Sequence, residues 1–278
     1  MPVLRTRLRE MYQRSLSLPG LRHLRAGQFR RLRPLRDGRF GRGTSIVRLY
    51  WSRFLDAHRE DVRGRCLEIG ETVTIRRFGG DRVTRADALD LAAHSPEVTV
   101  VADLSRADDV PADTWDCFIN QFTMPSIYDT EAALYHALRL LKPGGVLLIN
   151  FACVDYYIHR GLDMGTGDAL YIYHQFTPVE VMNYFLRLDL AESDVTMTVY
   201  GNLMARMGFL LNLPAEELSR EERETRDPGQ PLLICVRAVK PEGWNPPKPA
   251  YRDPLWHPPG PPARISSTTG HYGDDYLR

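Results

Sequence analysis

Short apolar runs alternate with helix-like segments along most of this chain, and that alternation constrains its fold more than any other feature. Between residues 61 and 240, seven runs have the apolar and β-branched character of strands. They are RCLEIG, VTRADALD, VTVVAD, WDCFINQF, GVLLINF, DVTMTVYG and LLICVRAV. Strands that alternate with helices form a mainly parallel sheet. The pattern therefore predicts an α/β fold with a mainly parallel seven-stranded sheet and helices on both faces.

Two segments of different composition flank this region. Residues 1–60 are rich in arginine, and within them TSIVRLYWSRFLDAHRED has the apolar spacing of an amphipathic helix. Residues 241–278 are rich in proline, which removes amide donors, so we expect neither a helix nor a central strand there. The tryptophans and tyrosines of this tail indicate that it lies against a surface, its own or a partner's, and disorder is the alternative. The sequence thus predicts a basic helical extension (1–60), a central domain (61–240) and a Pro-rich tail (241–278).

Charge and cysteine content argue against several classes of protein. The formal net charge is +1, so no overall field attracts the protein to nucleic acid. The arginine-rich start is compatible with a nucleic-acid arm, a membrane-surface helix or a targeting leader, but a solvated, partly packed extension is favoured. Four cysteines without paired spacing predict neither disulfides nor a metal site, and a cytoplasmic location is expected. No apolar run reaches the ~20 residues of a membrane-spanning helix.

Acidic residues stand where the predicted strands end, which is where open parallel sheets bind ligands. The first strand ends in Glu68 and Gly70, the second near Asp87 and Asp90, and the third at Asp103. A carboxylate about twenty residues after the first ligand loop suits the two hydroxyls of a ribose. An acid one strand further on can accept a hydrogen bond from an exocyclic amine. Taken singly, each acid is as typical of a helix cap or turn, but their succession predicts an adenosine pocket.

The first of these turns lacks the glycines of a phosphate-binding loop. Gly70 is followed by Glu71, Thr72, Val73, Thr74 and Ile75, without a Gly-Lys-Ser or Gly-Lys-Thr motif. Backbone amides approach phosphates closely only where glycines line the turn. The pocket is therefore predicted to take an adenosine without phosphates, which indicates S-adenosylmethionine.

At this point the chain resembles the class I S-adenosylmethionine-dependent methyltransferases. The resemblance lies in GRCLEIGE, IRRFGG, VTVVADLSRADDVPADTWDCFI, IYDTEAALYHALRLLKPGGVLLIN and PLLICVRAVKP, and it covers roughly residues 33–241. More narrowly, these segments are similar to a bacterial group of methyltransferase-domain proteins linked with glycosyltransferases and secondary metabolism. The resemblance implies a Rossmann-like fold, a methyltransferase domain at 61–240 and S-adenosylmethionine as the cofactor.

The resemblance also implies roles for single residues. The first turn would contribute Glu68, Gly70 and Glu71, with Thr72 beside them. The ribose would bind Asp90, with Asp87 as the alternative, and the adenine would bind Asp103 and the Leu104 amide. The methionine end would face Asn120 and Gln121, and Tyr50, on the helix before the domain, would close the pocket.

A base is needed only where the methyl acceptor must lose a proton. His159 and His174 follow the fifth predicted strand, and an imidazole titrates near neutral pH, so both are candidate catalytic residues. Histidines in such aromatic stretches are also typical structural residues. We expect methyl transfer to oxygen on a small molecule, a glycan or another natural product, and nucleic acid is not the expected partner. The alternative is a binding protein of the same fold, for nucleic acid or a protein partner, with weak or lost catalysis.

Overall fold

The computed structural model describes residues 43–154 and 171–257, together with the backbone of short strands at 162–163, 169–170, 263–266 and 271–272. These residues form two compact units. Of the described residues, one unit comprises 43–52 and 199–232, and the other comprises 53–154, 171–198 and 233–257. Residues 1–42 of the expected extension lie outside the described residues, so the division into three segments stays a prediction.

The elements of the described chain have the following bounds. The helices are α1 (Ile46–Ala57), α2 (Val73–Gly79), α3 (Thr130–Leu140), α4 (Pro178–Arg187), α5 (Leu203–Leu210) and α6 (Arg220–Glu224). The strands are β1 (Gly64–Ile69), β2 (Val83–Asp90), β3 (Val98–Val101), β4 (Trp115–Asn120), β5 (Leu141–Ala152), β6 (Leu162–Asp163), β7 (Ala169–Leu170), β8 (Val195–Tyr200), β9 (Leu233–Val239), β10 (Ala263–Ser266) and β11 (His271–Tyr272). Short 3₁₀ turns lie at Arg59–Asp61, Gly80–Arg82, Leu104–Arg106, Met124–Ser126, Glu192–Asp194 and Ala215–Glu217.

The larger sheet has seven strands in the order β3-β2-β1-β4-β5-β9-β8. Strands β1 to β5 pair in parallel, and β9 runs antiparallel to β5. The predicted seven-stranded, mainly parallel sheet is therefore confirmed, because each of the seven apolar runs forms one of its strands. The strand order reverses between β1 and β4, so their carboxyl ends flank the crevice where open α/β sheets bind ligands.

The hydrophobic core around the seven-stranded sheet lies along its central strands. Phe118 of β4 and Leu147 of β5 are fully buried, as are Leu134 and Leu138 on the helix α3 between them. Central parallel strands are covered on both faces, which is why these strands are apolar almost without interruption. The four cysteines of the chain are buried free thiols. Each lies within a strand of this sheet or next to one.

Helices cover the sheet less evenly than the sequence predicts. Residues 91–97 alone join β2 to β3, and the connection from β3 to β4 contains a 3₁₀ turn instead of an α-helix. Parallel neighbours are usually joined by a crossover of about a dozen residues or more. Here the short strand β3 begins level with Ala88 of β2, so the return path is short. The expectation that helices alternate with strands throughout is wrong at these two connections.

The described part of the tail lies against the protein's own surface. The Trp244 indole N–H donates to the Leu188 carbonyl (2.7 Å), and the Arg106 guanidinium lies 4.1 Å from the centre of the Tyr251 ring. Further along, Ala263–Ser266 forms β10, a central strand of a second sheet in the order β11-β10-β6-β7. This stretch contains no proline, so its amides can pair with neighbouring strands. The expectation of no central strand in 241–278 is therefore wrong at Ala263–Ser266.

The unit formed by residues 43–52 and 199–232 has its own contacts. The Asn202 side chain caps α5 by accepting from the Ala205 amide (2.9 Å), and the Tyr50 ring stacks on Tyr200 with centroids 5.0 Å apart. Thr44 donates its amide and hydroxyl to the Glu216 carboxylate. Nowhere in the described residues is a helix both long enough and apolar enough to cross a lipid bilayer.

Candidate functional site

A buried carboxylate takes the place of a glycine loop at the end of β1. Glu68 Oε2 accepts a hydrogen bond from the Ile75 amide (3.0 Å) in the first turn of α2, and its Oε1 accepts from Gln121 Nε2 (2.8 Å). The first amides of a helix lack partners within the helix. Glu68 therefore caps α2 from the preceding strand, which fixes the turn without glycines. Each oxygen thus already accepts from the protein itself, and the predicted contact of Glu68 with a ligand stays a prediction.

The environment of Glu68 changes its protonation. Burial raises the pKa of this carboxyl to about 7, although hydrogen bonds from Thr74 and Ile75 lower it. The charge of Glu71, which is exposed in the same turn, raises it further. At neutral pH the Glu68 carboxyl, at the end of β1, is therefore protonated in a substantial fraction of the molecules.

A second carboxylate holds the middle of the same turn. Glu97 Oε2 accepts from both the amide (3.1 Å) and the hydroxyl (2.9 Å) of Thr72, and Glu97 Oε1 pairs with Arg76 (2.8 Å). Thr72 is buried, so these donors are already satisfied inside the protein. The residues that replace the glycines are therefore part of a closed network between the β1–α2 turn and the β2–β3 connection.

Gly70 and Asp90 meet at the carboxyl ends of β1 and β2. Gly70 has φ +82°, and a Cβ at this position would lie 3.6 Å from Asp90 Oδ2. The Asp90 side chain is 27% exposed; its Oδ1 accepts from the Leu91 amide (2.6 Å), and its Oδ2 lies 3.6 Å from His94 Nδ1. The structure thus brings together two of the predicted cofactor residues and leaves Asp90 Oδ2 turned toward the open side of the glycine.

Asp87, the alternative to Asp90, lies three residues before it on the same strand, β2. It is fully buried, and its carboxylate accepts from Arg65 (2.7 Å), Arg85 (3.0 Å), Thr99 (2.9 Å) and the Trp115 indole (3.0 Å). Burial by itself raises the pKa of Asp87, but these hydrogen bonds outweigh it and lower the pKa below its ordinary value. With both oxygens used in this way, Asp87 joins strands to each other, and a role as ribose ligand is not supported.

Asp103 lies one strand further along, two residues after the end of β3. Its Oδ1 accepts from the Ser105 amide (2.9 Å) and hydroxyl (2.6 Å), which caps the 3₁₀ turn, while its Oδ2 lies 3.5 Å from Arg106. The side chain is 39% exposed, and the neighbouring Leu104 is buried. Arg106 also contacts Tyr251 of the tail (2.9 Å). The tail therefore runs beside the position predicted to hold adenine.

An unsatisfied amide oxygen lies at the end of β4. Asn120 is fully buried, its Nδ2 donates to Met124 Sδ (3.6 Å), and its Oδ1 has no hydrogen-bond partner among the described residues. Buried polar atoms are nearly always paired, so an exception calls for an explanation such as a bound ligand. Gln121, the other residue predicted at the methionine end, bridges Glu68 and Thr74 through its Nε2.

Phe122 and Asn150 belong to this end of the sheet but were not predicted from the sequence. Phe122 has φ +55°, a left-handed conformation that costs an aromatic residue of order 1–3 kcal/mol and that is concentrated at functional sites. The Oδ1 of the buried Asn150 accepts from the Phe122 amide (2.9 Å) and so holds this backbone in place. The signal for Asn150 was an amide inside the apolar run VLLIN, whereas a left-handed phenylalanine leaves no mark in a sequence.

The predicted catalytic histidines have different outcomes. His174 Nε2 lies 2.8 Å from the Tyr128 carbonyl, which can only accept, so Nε2 carries a proton and Nδ1 is the atom able to take one. His159 lies outside the described residues. Tyr50, predicted to close the pocket, belongs to the unit of residues 43–52 and 199–232, where it stacks on Tyr200, and its role stays a prediction. The described residues contain no group of three or more His, Cys, Asp or Glu placed to hold a metal ion.

Comparison with known proteins yields structural likeness only. No protein-family model and no curated protein matches the chain. Among solved structures, an S-adenosylmethionine-dependent methyltransferase from Mesorhizobium loti is 17% identical, with 67% of this chain and 96% of that chain covered and a TM-score of 0.42. A DhpI–SAH complex (16% identity, 71% and 88% covered, TM-score 0.44) and the [4+2]-cyclase SpnF (16%, 85% and 96%, 0.42) are similar to the same degree. At these identities and TM-scores, the likeness carries no statement about function, which has to come from the geometry of this chain.

Proposed function

We propose that this protein is an S-adenosylmethionine-dependent methyltransferase that acts at an oxygen of a small molecule, such as a glycan or another natural product. The observation that carries the proposal is the succession of Gly70, Asp90 and Asp103 at the carboxyl ends of the adjacent strands β1, β2 and β3. This succession offers hydrogen-bond acceptors for a ribose and an exocyclic amine beside a turn that has no cradle for phosphate.

The residues present fit the two halves of S-adenosylmethionine in different ways. Asp90, beside the open face of Gly70, would accept from the ribose hydroxyls, and Asp103 would accept from the adenine amine. At the other end, the unsatisfied Asn120 Oδ1 is an acceptor suited to the ammonium group. When bound, S-adenosylmethionine supplies a methyl carbon that its sulfonium makes electrophilic. The chain's own contribution is to position that end of the ligand next to β4 and β5.

His174 is the residue we propose as general base. Its Nε2–H is held by the Tyr128 carbonyl, which fixes the ring and leaves Nδ1 to accept a proton from an acceptor hydroxyl. The segment that carries His174 is itself fixed near β4, because the His174 amide donates to the Pro125 carbonyl (3.2 Å). A base held by the backbone in this way keeps one orientation through the reaction.

One observation favours the second candidate function, a binding protein of the same fold with weak or lost catalysis. Glu97 already occupies the Thr72 amide and hydroxyl, so the first turn offers a ligand fewer backbone donors than a glycine loop does. The two candidates differ in whether the carboxyl edge binds the methyl donor at all. Binding of the donor is therefore the property to measure.

The test is calorimetric titration of S-adenosylhomocysteine into wild type, Asp90→Ala and Asp103→Ala, each stripped of copurified ligand. Losing a hydrogen bond to a charged group costs about 1.5–3 kcal/mol, so each variant should bind at least about tenfold more weakly. Asp109→Ala removes the same charge from an exposed position in the β3–β4 connection and should bind like wild type. Equal affinity of all four proteins would remove the support for this site.

A further inference from the structure

Aromatic side chains gather beyond the ends of β4 and β5. We call them the aromatic cluster: Tyr128, Tyr171, Tyr173, His174 and His257. The amides of Tyr173 and His174 both donate to the Pro125 carbonyl, at 2.8 and 3.2 Å, in the 3₁₀ turn Met124–Ser126 that follows β4. Two residues later the Phe176 amide donates to the Ala152 carbonyl (2.9 Å) at the end of β5. The cluster thus lies where the proposed methyl end of the donor would be.

The rings of the cluster are arranged as a ligand-binding stack rather than as a buried core. The His257 imidazole lies face to face on the Tyr171 ring, with centroids 4.4 Å apart and planes within 12°. Tyr173 meets Tyr128 edge to face at 5.3 Å (75°) and lies 5.9 Å from Tyr171. One flat face and one edge-on wall are the two geometries in which aromatic rings bind another ring.

The ring in the stack comes from an exposed stretch at the end of the described tail. His257 is exposed, and the two residues before it, Leu255 and Trp256, are 98% and 69% exposed. The inner wall is polar at one point: the Tyr173 hydroxyl lies 3.5 Å from His257 Nδ1. Burial, followed by the neighbouring Tyr171, Tyr251 and Tyr128, raises the pKa of Tyr173 to about 12, so this hydroxyl keeps its proton at neutral pH.

We infer that the aromatic cluster is an acceptor site for a small aromatic ring with a polar atom at its edge, such as a phenol, and that His257 holds the place of that ring in the stack. The ligand's ring lies on Tyr171, and its single hydroxyl reaches Tyr173 on the side of His174. The inference gives the substrate class of the proposed methyltransferase and rests on that function for its catalytic meaning. The binding itself requires no methyl donor.

An internal ring that occupies the stack lowers the apparent affinity for an external one by the fraction of time that the stack is open. If His257 occupies it about nine-tenths of the time, its removal should strengthen binding about tenfold. Removal of the Tyr171 face should abolish that gain. A saturated ring of the same size has no π face and should bind weakly in every case.

The experiment is an NMR titration of 2-naphthol into the full chain, with its saturated counterpart decahydro-2-naphthol as the matched probe and without any methyl donor. We expect His257→Ala to bind 2-naphthol about tenfold more tightly than wild type. Trp256→Ala, the change of an adjacent exposed aromatic residue, should leave the affinity unchanged. The double variant His257→Ala with Tyr171→Leu should lose at least the tenfold gain, and Tyr171→Phe in place of Leu should keep it.

Wild type offers a readout that does not depend on any variant folding. Because the His257 ring lies 4.4 Å above the Tyr171 ring, we expect its protons to be shifted upfield, and 2-naphthol should move them back as it displaces the imidazole. Unchanged affinity in His257→Ala, unchanged affinity after Tyr171→Leu, or equal binding of the saturated probe would each overturn the inference. If the protein did not bind S-adenosylhomocysteine, the proposed function would be contradicted but the aromatic site would not, because the two are measured with different ligands.

Discussion

At the scale of single residues, Glu68 shows how this turn forms without glycines. A glycine loop exposes its amides to a ligand, whereas here the buried Glu68 carboxylate accepts from the Ile75 amide and from Gln121. The same burial raises the pKa of Glu68 to about 7, against 4.5 for an ordinary glutamate. The folded protein therefore holds this proton more tightly than the unfolded chain does, and its ionised form lowers the stability of the fold.

This difference predicts how stability changes with pH. Relative to Glu68→Gln, wild type should have its full stability below pH 4.5 and lose up to about 3 kcal/mol of unfolding free energy as the pH rises to 7. The other groups of the protein cancel in the comparison, because both proteins contain them. Urea unfolding of the two proteins from pH 4 to 8 measures the change. A difference that stays constant with pH would show that the Glu68 carboxyl titrates as in the unfolded chain.

The sequence led to some of the site residues and could not lead to others. Apolar runs predict where strands end, and this prediction led to Asp90 and Asp103. The choice between Asp87 and Asp90 depended on the exact register of the strand. In the structure Asp87 is buried among four donors and Asp90 lies beside Gly70, and the contact with a ribose stays a prediction. The left-handed backbone of Phe122 arises from tertiary contacts and was beyond the reach of sequence patterns.

At the scale of elements, the seven strands were legible because buried parallel strands are apolar almost throughout. The absence of an α-helix from the connections β2–β3 and β3–β4 could not be predicted in this way. The rule that helices alternate with strands assumes that each parallel connection is long enough for a helix. Residues 91–97 lie between two predicted strands and leave no room for one. Gly144 and Gly145 precede the apolar part of β5, and each position requires glycine for a different structural reason.

Gly144 and Gly145 should respond differently to a methyl group. Gly144 has φ +74° with open space around it, so Gly144→Ala should cost about 1 kcal/mol for the left-handed backbone alone. At Gly145 a Cβ would lie 2.8 Å from the Lys142 carbonyl oxygen and 3.1 Å from that of Trp115, both backbone atoms that cannot move aside. We expect Gly145→Ala to cost about 2–3 kcal/mol. Urea midpoints of the two variants provide the comparison, and a larger loss at Gly144 would contradict it.

At the scale of the whole molecule, residues 241–257 of the tail belong to the same compact unit as β1 to β5. The Trp244 indole donates to the Leu188 carbonyl, its ring lies 5.1 Å from Lys240 Nζ, and it packs 5.5 Å from Tyr135. Trp244→Ala should therefore lower the unfolding free energy by about 2 kcal/mol. Trp256→Ala, a change of the same residue type at a position 69% exposed, should stay within about 0.5 kcal/mol of wild type. Similar losses in the two variants would mean that Trp244 does not hold the tail in solution.

The central claim is that the carboxyl edge of this sheet binds an adenosine without phosphates that carries a methionine. The most direct measurement is calorimetric titration of S-adenosylhomocysteine into wild-type protein stripped of copurified ligand, with nicotinamide adenine dinucleotide as the phosphate-containing comparison. We predict micromolar binding of S-adenosylhomocysteine and no binding of the dinucleotide, because the first turn has no glycine cradle for phosphate. Absence of S-adenosylhomocysteine binding would contradict the account, and Gly70, Asp90 and Asp103 would then be parts of the scaffold alone.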